Sequence, residues 1–383
     1  MRILHTSDWH LGRSFHRVGM LEHQAAFVDH LVEAVRSEGI DIVVLAGDVY
    51  DRALPSVDTV AVLDDALSRV LDAGAQVLLT SGNHDSAGRL GFASSVLEHG
   101  GVHVRSRTAD LARRVLLGDE HGPVAIYGLP YLEPSMVADE LGSRRSHQGV
   151  LEAAMARVRA DLASQPTPTR SVVAAHAFVV GGQVSDSERD ISVGGVGAVP
   201  LAVFGGVDYV ALGHLHGRQR LAETVRYSGS PLAYSFSEAT HVKGTWLVDL
   251  GPHGVRAVQA LPAPVPRPLV TVRGAIAALL SDPTLEHAER AWCQVVLTDA
   301  ARPRAAMAQL QQRFPHTLSL SFEPEGGGHA GADYAGRVRG RSDLDVCCGF
   351  VEHVRGSVAD DAERGLLADA LERSREHDRD DAA

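Results

Sequence analysis

The sequence is poor in the residues that stabilise secreted or membrane proteins. Only three of its 383 residues are cysteine, and the adjacent pair Cys347 and Cys348 lacks the spacing of zinc ligands. A disulfide framework is therefore excluded. No apolar run approaches the ~18 residues of a membrane helix, and the first residues show no hydrophobic stretch of the kind that directs secretion. We expect a soluble, cytoplasmic protein.

Positive charge is also scarce. The chain carries a formal net charge of −12, and Lys243 is its single lysine. Such a charge argues against a protein that coats nucleic acid by bulk electrostatics, although metal ions can supply a nuclease with local positive charge. Half of the excess lies in residues 341–383, which hold twelve acidic residues and six arginines. The basic side chains are thus almost all arginine, which binds phosphate in a bidentate manner.

The hydrophobic pattern predicts an α/β fold in about the first 260 residues. Short runs of β-branched residues predict buried strands, and segments with helical periodicity lie between the first three of them. The predicted strands are 2–6, 41–46, 75–80, 123–128, 171–175, 207–212, 244–249 and 254–259, and the predicted helices are 20–37 and 56–72. The length of the chain favours two or three domains over one.

The composition changes twice beyond this region. A proline-rich stretch from Pro262 to Pro268 predicts a linker, and residues 269–325 contain enough strand and helix for a small α+β domain. The glycines of 326–340 predict a second, flexible linker. In 341–383, apolar residues recur at helical spacing and predict two amphipathic helices. Such helices either dock back on their own domain or hold a partner, and the flexible linker favours a partner.

Polar residues follow five of the predicted strands at their C-terminal ends. Because this edge of an open α/β sheet gathers ligands, we expect the clusters to meet. They are Asp8-Trp9-His10, Gly47-Asp48 with Asp51, Gly82-Asn83-His84-Asp85, Ala175-His176 and Gly213-His214-Leu215-His216. Since side chains alternate along a strand, Asp8 and His10 are predicted to point to the same side. The glycines allow sharp turns and a close approach of the backbone.

These clusters predict a metal site. Together they offer two carboxylates, an amide oxygen and four imidazoles, with His84 in addition. This mixture suits Mn, Fe or Zn better than Ca or Mg, which prefer shells of oxygen alone. The number of ligands fits two ions, and Asp48 is the simplest choice for a carboxylate that bridges them. Two such ions can bind a phosphodiester oxygen, activate a water and stabilise in-line attack.

The order of these motifs resembles the calcineurin-like metallophosphoesterase superfamily over roughly residues 1–260. The resemblance implies a β-sandwich flanked by helices, manganese as the usual metal, and His84 as the catalytic residue. It implies that Asp51 and Asp85 orient loops or imidazoles. It also implies two ligand sets, which are Asp8, His10, Asp48 and His216 for one ion and Asp48, Asn83, His176 and His214 for the other.

A narrower resemblance favours DNA as the substrate. Three segments are similar to the SbcD family of bacterial nuclease subunits: His5 to Arg13, Ser185 to Arg189 with Val193 to Gly195, and Tyr227 to Pro231. This resemblance implies a nuclease domain at 1–262, a small α+β capping domain at 269–325, a linker at 326–340 and a partner-binding helical tail at 341–383. It further implies a homodimer that binds an SbcC-type ATPase and cleaves DNA ends and hairpins for repair and recombination.

Two other functions stay open at this point. The metal ligands alone do not separate a nuclease from a relative that acts on nucleotides, small phosphoesters or phosphoproteins, although the C-terminal pieces favour the nuclease. A subunit that only tethers DNA and partner is a third alternative, and the intact ligand set weighs against it. Arg13, Arg52 and Arg89 lie beside the metal motifs and are the candidates for contact with DNA.

Overall fold

The computed structural model describes residues 1–188, 197–325, 341–355 and 357–380. The chain divides into two compact units. The first comprises Met1–Val272, Pro283–Gln294 and Gln311–Ser319, and the second comprises Arg273–Asp282, Val295–Leu310 and Leu320–Ala383. The predicted linker at 326–340 and the motif residues Arg189 and Val193 to Gly195 lie outside the described residues.

Strands dominate the first unit. In chain order they are β1 (Arg2–Thr6), β2 (Ser14–Phe15), β3 (Val18–Gly19), β4 (Ile42–Leu45), β5 (Gln76–Thr80), β6 (Val102–Arg105), β7 (Val115–Asp119), β8 (Gly122–Leu129), β9 (Arg170–His176), β10 (Tyr209–Gly213), β11 (Gln219–Arg220), β12 (Val225–Tyr227), β13 (Gly244–Gly251) and β14 (Gly254–Pro262). Each strand predicted in this region is present. The predictions missed β2, β3, β6, β7, β11 and β12, which are short or partly exposed.

Twelve of these strands form two large sheets, and β2 and β3 pair with each other separately. Within the described residues, one sheet has the order β14–β13–β1–β4–β5–β6 and the other has the order β11–β12–β10–β9–β8–β7. In the first sheet β1, β4, β5 and β6 are parallel. In the second, β8, β9, β10 and β12 are parallel. Parallel strands are covered on both faces, which explains why Ile42–Leu45 is apolar at every position.

Helices α1 to α6 connect these strands. They are α1 (Leu21–Glu38), α2 (Val57–Asp72), α3 (Ala87–Leu90), α4 (Ser94–Leu97), α5 (Pro134–Leu141) and α6 (His147–Ala163). The helix α2 begins after Ser56, whose side chain accepts the N–H of Thr59. The helix α1 ends at Gly39, whose φ of 59° lies in the left-handed region. Both predicted helices are therefore confirmed.

The two sheets pack face to face with helices outside them. Residues from both sheets, among them Val44 and Val172, share one apolar core. Apolar residues of α1 and α2 cover the outer face of the first sheet, and those of α6 cover the outer face of the second. This arrangement is a β-sandwich flanked by helices, so the predicted α/β class and architecture are confirmed.

A smaller three-stranded sheet and two helices follow in the chain. The strands β15 (Leu269–Gly274), β16 (Trp292–Leu297) and β17 (Thr317–Phe322) pair in the order β15–β16–β17, with α7 (Ile276–Ser281) and α8 (Ala306–Arg313) between them in sequence.

The tail contains two helices, Asp343–Arg355 and Asp361–Asp380, as predicted. Arg355 pairs with Glu363, and Arg364 pairs with Asp345 at 3.1 Å, so polar contacts join the two helices. In the part of the chain that the structure describes, no helix combines the length and apolarity needed to cross a membrane.

Candidate metal centre

Five loops or strand ends bring the predicted site residues together. Each belongs to the C-terminal end of a parallel strand, β1, β4 and β5 in one sheet and β9 and β10 in the other. Backbone hydrogen bonds fasten the first loop to the second: Asp8 N–H donates to Gly47 O (3.1 Å), and His10 N–H donates to Asp48 O (3.0 Å). The clusters therefore meet at the edge where the strands end, as the sequence predicts.

The path of the first loop differs from the prediction. The strand β1 ends at Thr6, and Asp8 and His10 have φ values of 52° and 45°. Both residues adopt the left-handed conformation, which is uncommon outside glycine but which Asn, Asp and His adopt more often than other residues do. The sequence analysis placed these two side chains together because side chains alternate along a strand, and this reason was wrong. Two left-handed residues turn the chain so that both side chains reach the same cluster.

Asp48 lies in the middle of the cluster. Three imidazole Nε2 atoms surround its Oδ2, those of His176 at 3.5 Å, His10 at 3.6 Å and His84 at 4.0 Å. Ligand atoms within 4.8 Å of one another form three overlapping groups, which are Asp8, His10 and His216; His10, Asp48 and His84; and Asp8, Asp48 and His176. Asp8, His10 and Asp48 each belong to two of the groups, so the three groups overlap around the two carboxylates.

His10 and His216 present nitrogen atoms to each other. Their Nε2 atoms are 3.0 Å apart, and both side chains are buried. On the other side of the His216 ring, Nδ1 lies 2.5 Å from Ser187 Oγ, which in turn donates to Glu238. Because Ser187 uses its proton on Glu238, His216 donates its Nδ1–H to Ser187. The neutral His216 ring therefore carries its lone pair on Nε2, toward His10.

A hydrogen bond on the outer side of the ring also fixes which nitrogen of His176 faces Asn83. Its Nδ1 lies 3.0 Å from Ala46 O and donates to it, so the lone pair of the neutral ring is on Nε2. That atom is 2.9 Å from Asn83 Oδ1. The ring of His214 lies next to that of His176, with centroids 5.3 Å apart, and outside the three groups. The backbone N–H of His214 donates to both oxygens of Asp8, at 3.0 and 3.1 Å.

The electrostatics of the cluster favour neutral imidazoles and penalise its carboxylates. Burial lowers the pKa of His176 to about 4 and, with His216 as neighbour, lowers the pKa of His10 well below its ordinary value. Burial and the charge of Asp48 raise the pKa of Asp8 well above its ordinary value. Imidazole nitrogens and two buried carboxylates thus lie close together in the cluster.

The residues fit divalent cations. A cation in this position would satisfy the inward lone pairs of His176 and His216, and it would offset the repulsion between the two buried carboxylates. Imidazole nitrogen, carboxylate oxygen and amide oxygen together match the ligands of borderline divalent ions. The donor set therefore supports a divalent-metal site in this cluster.

Glycines let the loops approach one another closely. A side chain at Gly82 would collide with the carboxylate and backbone of Asp48, and one at Gly213 would collide with the backbone of Ala46. Neither glycine has a left-handed φ. Gly82 and Gly213 therefore allow the loops to approach closely, and they do not provide a left-handed turn. Gly47 does both, since it has a φ of 84° and also lacks room for a side chain.

Asp85 fastens two loops of the cluster. Its carboxylate accepts the backbone N–H groups of Val49 (3.0 Å), Tyr50 (2.9 Å) and Gly82 (2.9 Å). These contacts hold the loop after β4 against the loop after β5. Burial and the charge of Asp48 nevertheless raise the pKa of Asp85 to about 7. Asp85 therefore contacts backbone groups of both loops, and its orienting role stays a prediction.

Asp51 orients His84 through its backbone. The carbonyl oxygen of Asp51 lies 2.8 Å from His84 Nδ1 and accepts its proton, so Nε2 of His84 faces the cluster. The carboxylate of Asp51 lies 3.8 Å from His10 Nδ1 and 3.7 Å from Arg13 Nε. Asp51 therefore contacts both a predicted ligand and the predicted catalytic residue.

Sequence reasoning missed the residues that support His216. Glu238 accepts hydrogen bonds from Ser187 and from Lys243, and all three residues are buried. Lys243 also donates to His216 O (2.8 Å). Although burial opposes it, the His216 imidazole and the Lys243 charge hold the pKa of Glu238 well below its usual range. The sequence offered one signal for this support, which is that the chain has a single lysine. A lysine that is buried needs a carboxylate partner.

The three candidate DNA-contacting arginines differ in availability. Arg13 donates to Ser187 O (2.8 Å) and stacks over Tyr234 with its guanidinium 5.0 Å from the ring centre. It is therefore engaged within the fold. Arg52 is exposed beside Asp51, and Arg89 lines a surface groove. Of the three candidates, these two have exposed side chains.

Comparison with known proteins identifies two family regions. Residues 1–218 match the calcineurin-like phosphoesterase family, and residues 265–355 match the SbcD C-terminal family, described as the type 5 capsule protein repressor C-terminal domain. Similar solved structures include TT1561 of Thermus thermophilus, with 16% identity and a TM-score of 0.39 over 68% of this chain and 98% of that one. GAP50, the anchor in the inner membrane complex of Plasmodium, has 10% identity and a TM-score of 0.37 over 86% and 98% of the two chains. By the first match, which spans more than half of its length, the chain belongs to the calcineurin-like phosphoesterase family, and by the second it carries the C-terminal domain of an SbcD-type subunit.

Proposed function

We propose that this chain is the Mn²⁺-dependent nuclease subunit of an SbcC–SbcD-type complex for DNA repair and recombination. In this proposal it hydrolyses phosphodiester bonds at duplex ends and in hairpins. The observation that carries the proposal is the cluster around Asp48, where inward-facing donors and His84 meet at the ends of five strands. The SbcD-type C-terminal domain supports DNA over small phosphoesters as the substrate.

Two ions are assigned to the cluster. Asp8, His10, Asp48 and His216 would hold one, and Asp48, Asn83, His176 and His214 would hold the other. When bound, the ions supply positive charge for the phosphate oxygens and lower the pKa of a water. The protein contributes the orientation of the ligands. Hydrogen bonds from His176 to Ala46 O and from His216 to Ser187 fix which nitrogen of each ring faces inward.

His84 is the proposed catalytic residue. With its Nδ1–H held by Asp51 O, the ring presents Nε2 to the cluster 4.0 Å from Asp48 Oδ2. An alkoxide is a poor leaving group until it is protonated or its charge is stabilised by a hydrogen-bond donor. Once protonated, Nε2 of His84 can supply either, while the carbonyl of Asp51 prevents the ring from turning away.

The other parts of the chain are proposed to organise the complex. Residues 1–262 form the nuclease domain, residues 269–325 form the cap, and the tail at 341–383 binds an SbcC-type ATPase. The tail exposes Phe350, Val354 and Leu366, apolar side chains that a partner helix would cover.

A homodimer of the nuclease domain is also proposed. A surface groove of about 440 Å³ is lined by Leu54, Val60 and Phe92, all of which are exposed. Burial of such a patch against a second copy would remove apolar area from water. Arg52 and Arg89 remain the candidates for DNA contact, since both side chains are exposed whereas Arg13 is engaged within the fold.

Hydrolysis assays test the function. The full chain is incubated with Mn²⁺, and then with chelator, on end-labelled duplex and hairpin DNA, bis(p-nitrophenyl) phosphate and p-nitrophenyl phosphate. The proposal expects metal-dependent DNA cleavage, alone or after addition of an SbcC-type ATPase. Turnover of the small esters with DNA untouched in both conditions would favour a small-phosphoester hydrolase. No turnover of any substrate, with DNA binding retained, would favour a tethering subunit.

A further inference from the structure

The imidazole of His10 is held differently from those of His176 and His216. In His176 and His216, Nδ1 contacts an oxygen atom of another residue, at 3.0 and 2.5 Å respectively. His10 Nδ1 is buried and has no hydrogen-bond partner among the described residues, since the carboxylate of Asp51 lies 3.8 Å away. The orientation of His10 must therefore come from its backbone and from the rings that pack against it.

Two sets of hydrogen bonds hold the backbone that carries His10. The N–H groups of Asp8 and His10 donate to backbone oxygens of the loop after β4. The carbonyl oxygens of Trp9 and His10 accept from two side chains, since Tyr234 OH donates to Trp9 O (2.7 Å) and Gln24 Nε2 donates to His10 O (2.8 Å). Asp8 and His10 are left-handed, and such residues persist only where their surroundings fix them. Gln24 and Tyr234 thus support the carbonyl groups of this loop as the β4 loop supports its N–H groups.

Gln24, near the start of α1, uses its whole amide group on this loop and on Tyr234. Its Oε1 accepts the N–H of Gly12 (2.9 Å), and its Nε2 donates to His10 O (2.8 Å) and to Tyr234 Oη (2.8 Å). A side-chain amide offers two N–H donors and one carbonyl acceptor, and here each kind of group has a partner. Gln24 is only 1% exposed. Water therefore does not replace these contacts when the side chain is changed to an apolar one of similar length.

Tyr234 contacts both the loop and the imidazole of His10. Its hydroxyl accepts from Gln24 and donates to Trp9 O, so it joins the amide to the loop. Its ring stands edge-on to that of His10, with centroids 5.7 Å apart and an interplanar angle of 85°. The ring of His216 lies on the same tyrosine at 6.0 Å. Tyr234 is buried, so its ring limits the positions that the His10 imidazole can take.

We propose that Gln24 and Tyr234 are positioning residues for the metal ligand His10. They hold the left-handed loop by its carbonyl oxygens, and Tyr234 also packs against the imidazole. The pair thus does for His10 what a hydrogen bond to Nδ1 does for His176 and His216. The inference rests on the proposed function, because it takes His10 as a ligand of the first ion. Neither Gln24 nor Tyr234 is assigned as a ligand, so both act through His10.

Calorimetry with Mn²⁺ on the full chain tests this positioning role. Gln24→Met removes the amide contacts and keeps the length of the side chain. We expect the affinity for one of the two ions to fall about 10- to 100-fold, which is the range typical when a group that orients a ligand is lost. The other ion should bind as it does to the unchanged chain. Tyr234→Phe keeps the ring and loses only the hydroxyl, so a smaller fall of about threefold to tenfold is expected for the same ion.

Tyr127→Phe is the matched control for a loss of stability. Tyr127 is buried as Tyr234 is, and its hydroxyl donates to Asp161 on α6 (2.7 Å). Tyr127→Phe therefore also removes one buried hydrogen bond and should lower the melting temperature, but it should leave the affinity for both ions unchanged. If Gln24→Met and Tyr234→Phe likewise lower the melting temperature without changing either affinity, their role is only structural and the proposal is wrong.

A measurement without metal separates this inference from the proposed function. Amide hydrogen exchange of Asp8 and His10 is followed in the full chain with excess chelator. Their N–H groups donate to the loop after β4 and not to Gln24 or Tyr234, so faster exchange reports movement of the loop itself. We expect exchange about tenfold faster in Gln24→Met than in the unchanged chain or in Tyr127→Phe.

Exchange at the unchanged rate in Gln24→Met would overturn the positioning role. Failure of the unchanged chain to cleave DNA, alone and with an SbcC-type ATPase, would instead count against the proposed function. In that case the exchange rates of Asp8 and His10 would still decide whether Gln24 and Tyr234 hold the loop.

Discussion

The metal centre and the helical tail differ in how far the chain itself stabilises them. In the metal centre, every predicted ligand lies at the end of a buried strand, and neighbouring backbone or side-chain atoms fix the orientation of His176, His216 and His84. In the tail, ion pairs join the two helices, and Phe350 and Leu366 are exposed. A site that must hold ions is preorganised by the fold, whereas a surface that awaits a partner leaves apolar area uncovered.

Removal of the central carboxylate should have the largest effect on the first region. Asp48→Asn keeps the shape of the side chain but removes the charge that both proposed ions share. We expect calorimetry to show loss of Mn²⁺ binding. Hydrolysis should fall by more than about 100-fold, because a loss of that size is typical when only a group that supports a ligand is removed. Asp64→Asn, an exposed acid on α2, should behave as the unchanged chain. Full Mn²⁺ binding by Asp48→Asn would show that the centre is not built around this carboxylate.

His84→Ala should separate catalysis from metal binding. The imidazole of His84 is proposed to meet the leaving group, so turnover should fall by about 100- to 10,000-fold while the Mn²⁺ stoichiometry stays the same. Single-turnover cleavage of DNA and calorimetry on the same preparation provide the two readings. Cleavage at the unchanged rate, or loss of the ions, would contradict the role given to His84.

Ser187→Ala should have a smaller effect on the same centre. Ser187 fixes His216 through its hydroxyl, so its loss should weaken Mn²⁺ binding by about 10- to 100-fold. Ser187→Thr keeps a hydroxyl and should restore most of the affinity. Ser237→Ala is the control. Ser237 Oγ accepts the N–H of Asp186 (3.0 Å) and forms a hydrogen bond with Ser235 Oγ. Equal affinity in all three variants would remove Ser187 from the support of His216.

Deletion of residues 341–383 should leave the first region unaffected. We expect unchanged hydrolysis of bis(p-nitrophenyl) phosphate and loss of binding to an SbcC-type ATPase in a pull-down or by light scattering. A finer version is Phe350→Asp, which places a charge on the exposed face of the first tail helix and should weaken partner binding alone. Retained partner binding after the deletion would place the partner surface elsewhere in the chain.

The sequence predicted the site better than it predicted the reasons for its geometry. Strand ends followed by Asp, Asn and His identified the residues of the cluster, because parallel strands place their C-terminal ends at one edge. The local path was wrong at Asp8 and His10, since two left-handed residues on either side of Trp9 leave no pattern that periodicity can detect. The two tail helices were predictable because their apolar periodicity is local.

Long-range support for the ligands could not be predicted. Ser187 and Glu238 are 51 positions apart in the chain, yet their hydrogen bond decides which nitrogen of His216 faces the cluster. No local signal links them. Similarly, Asp51 acts on His84 through its carbonyl, a group that every residue possesses and that sequence alone does not distinguish.

Anomalous diffraction from crystals of the full chain grown with Mn²⁺ tests the central claim most directly. The account predicts two manganese peaks about 3.5–4 Å apart, with the Asp48 carboxylate between them and the two proposed ligand sets around them. Asp48→Asn crystals should show neither peak. A single peak that Asp48 does not contact, or peaks only at other places in the chain, would contradict the two-ion centre.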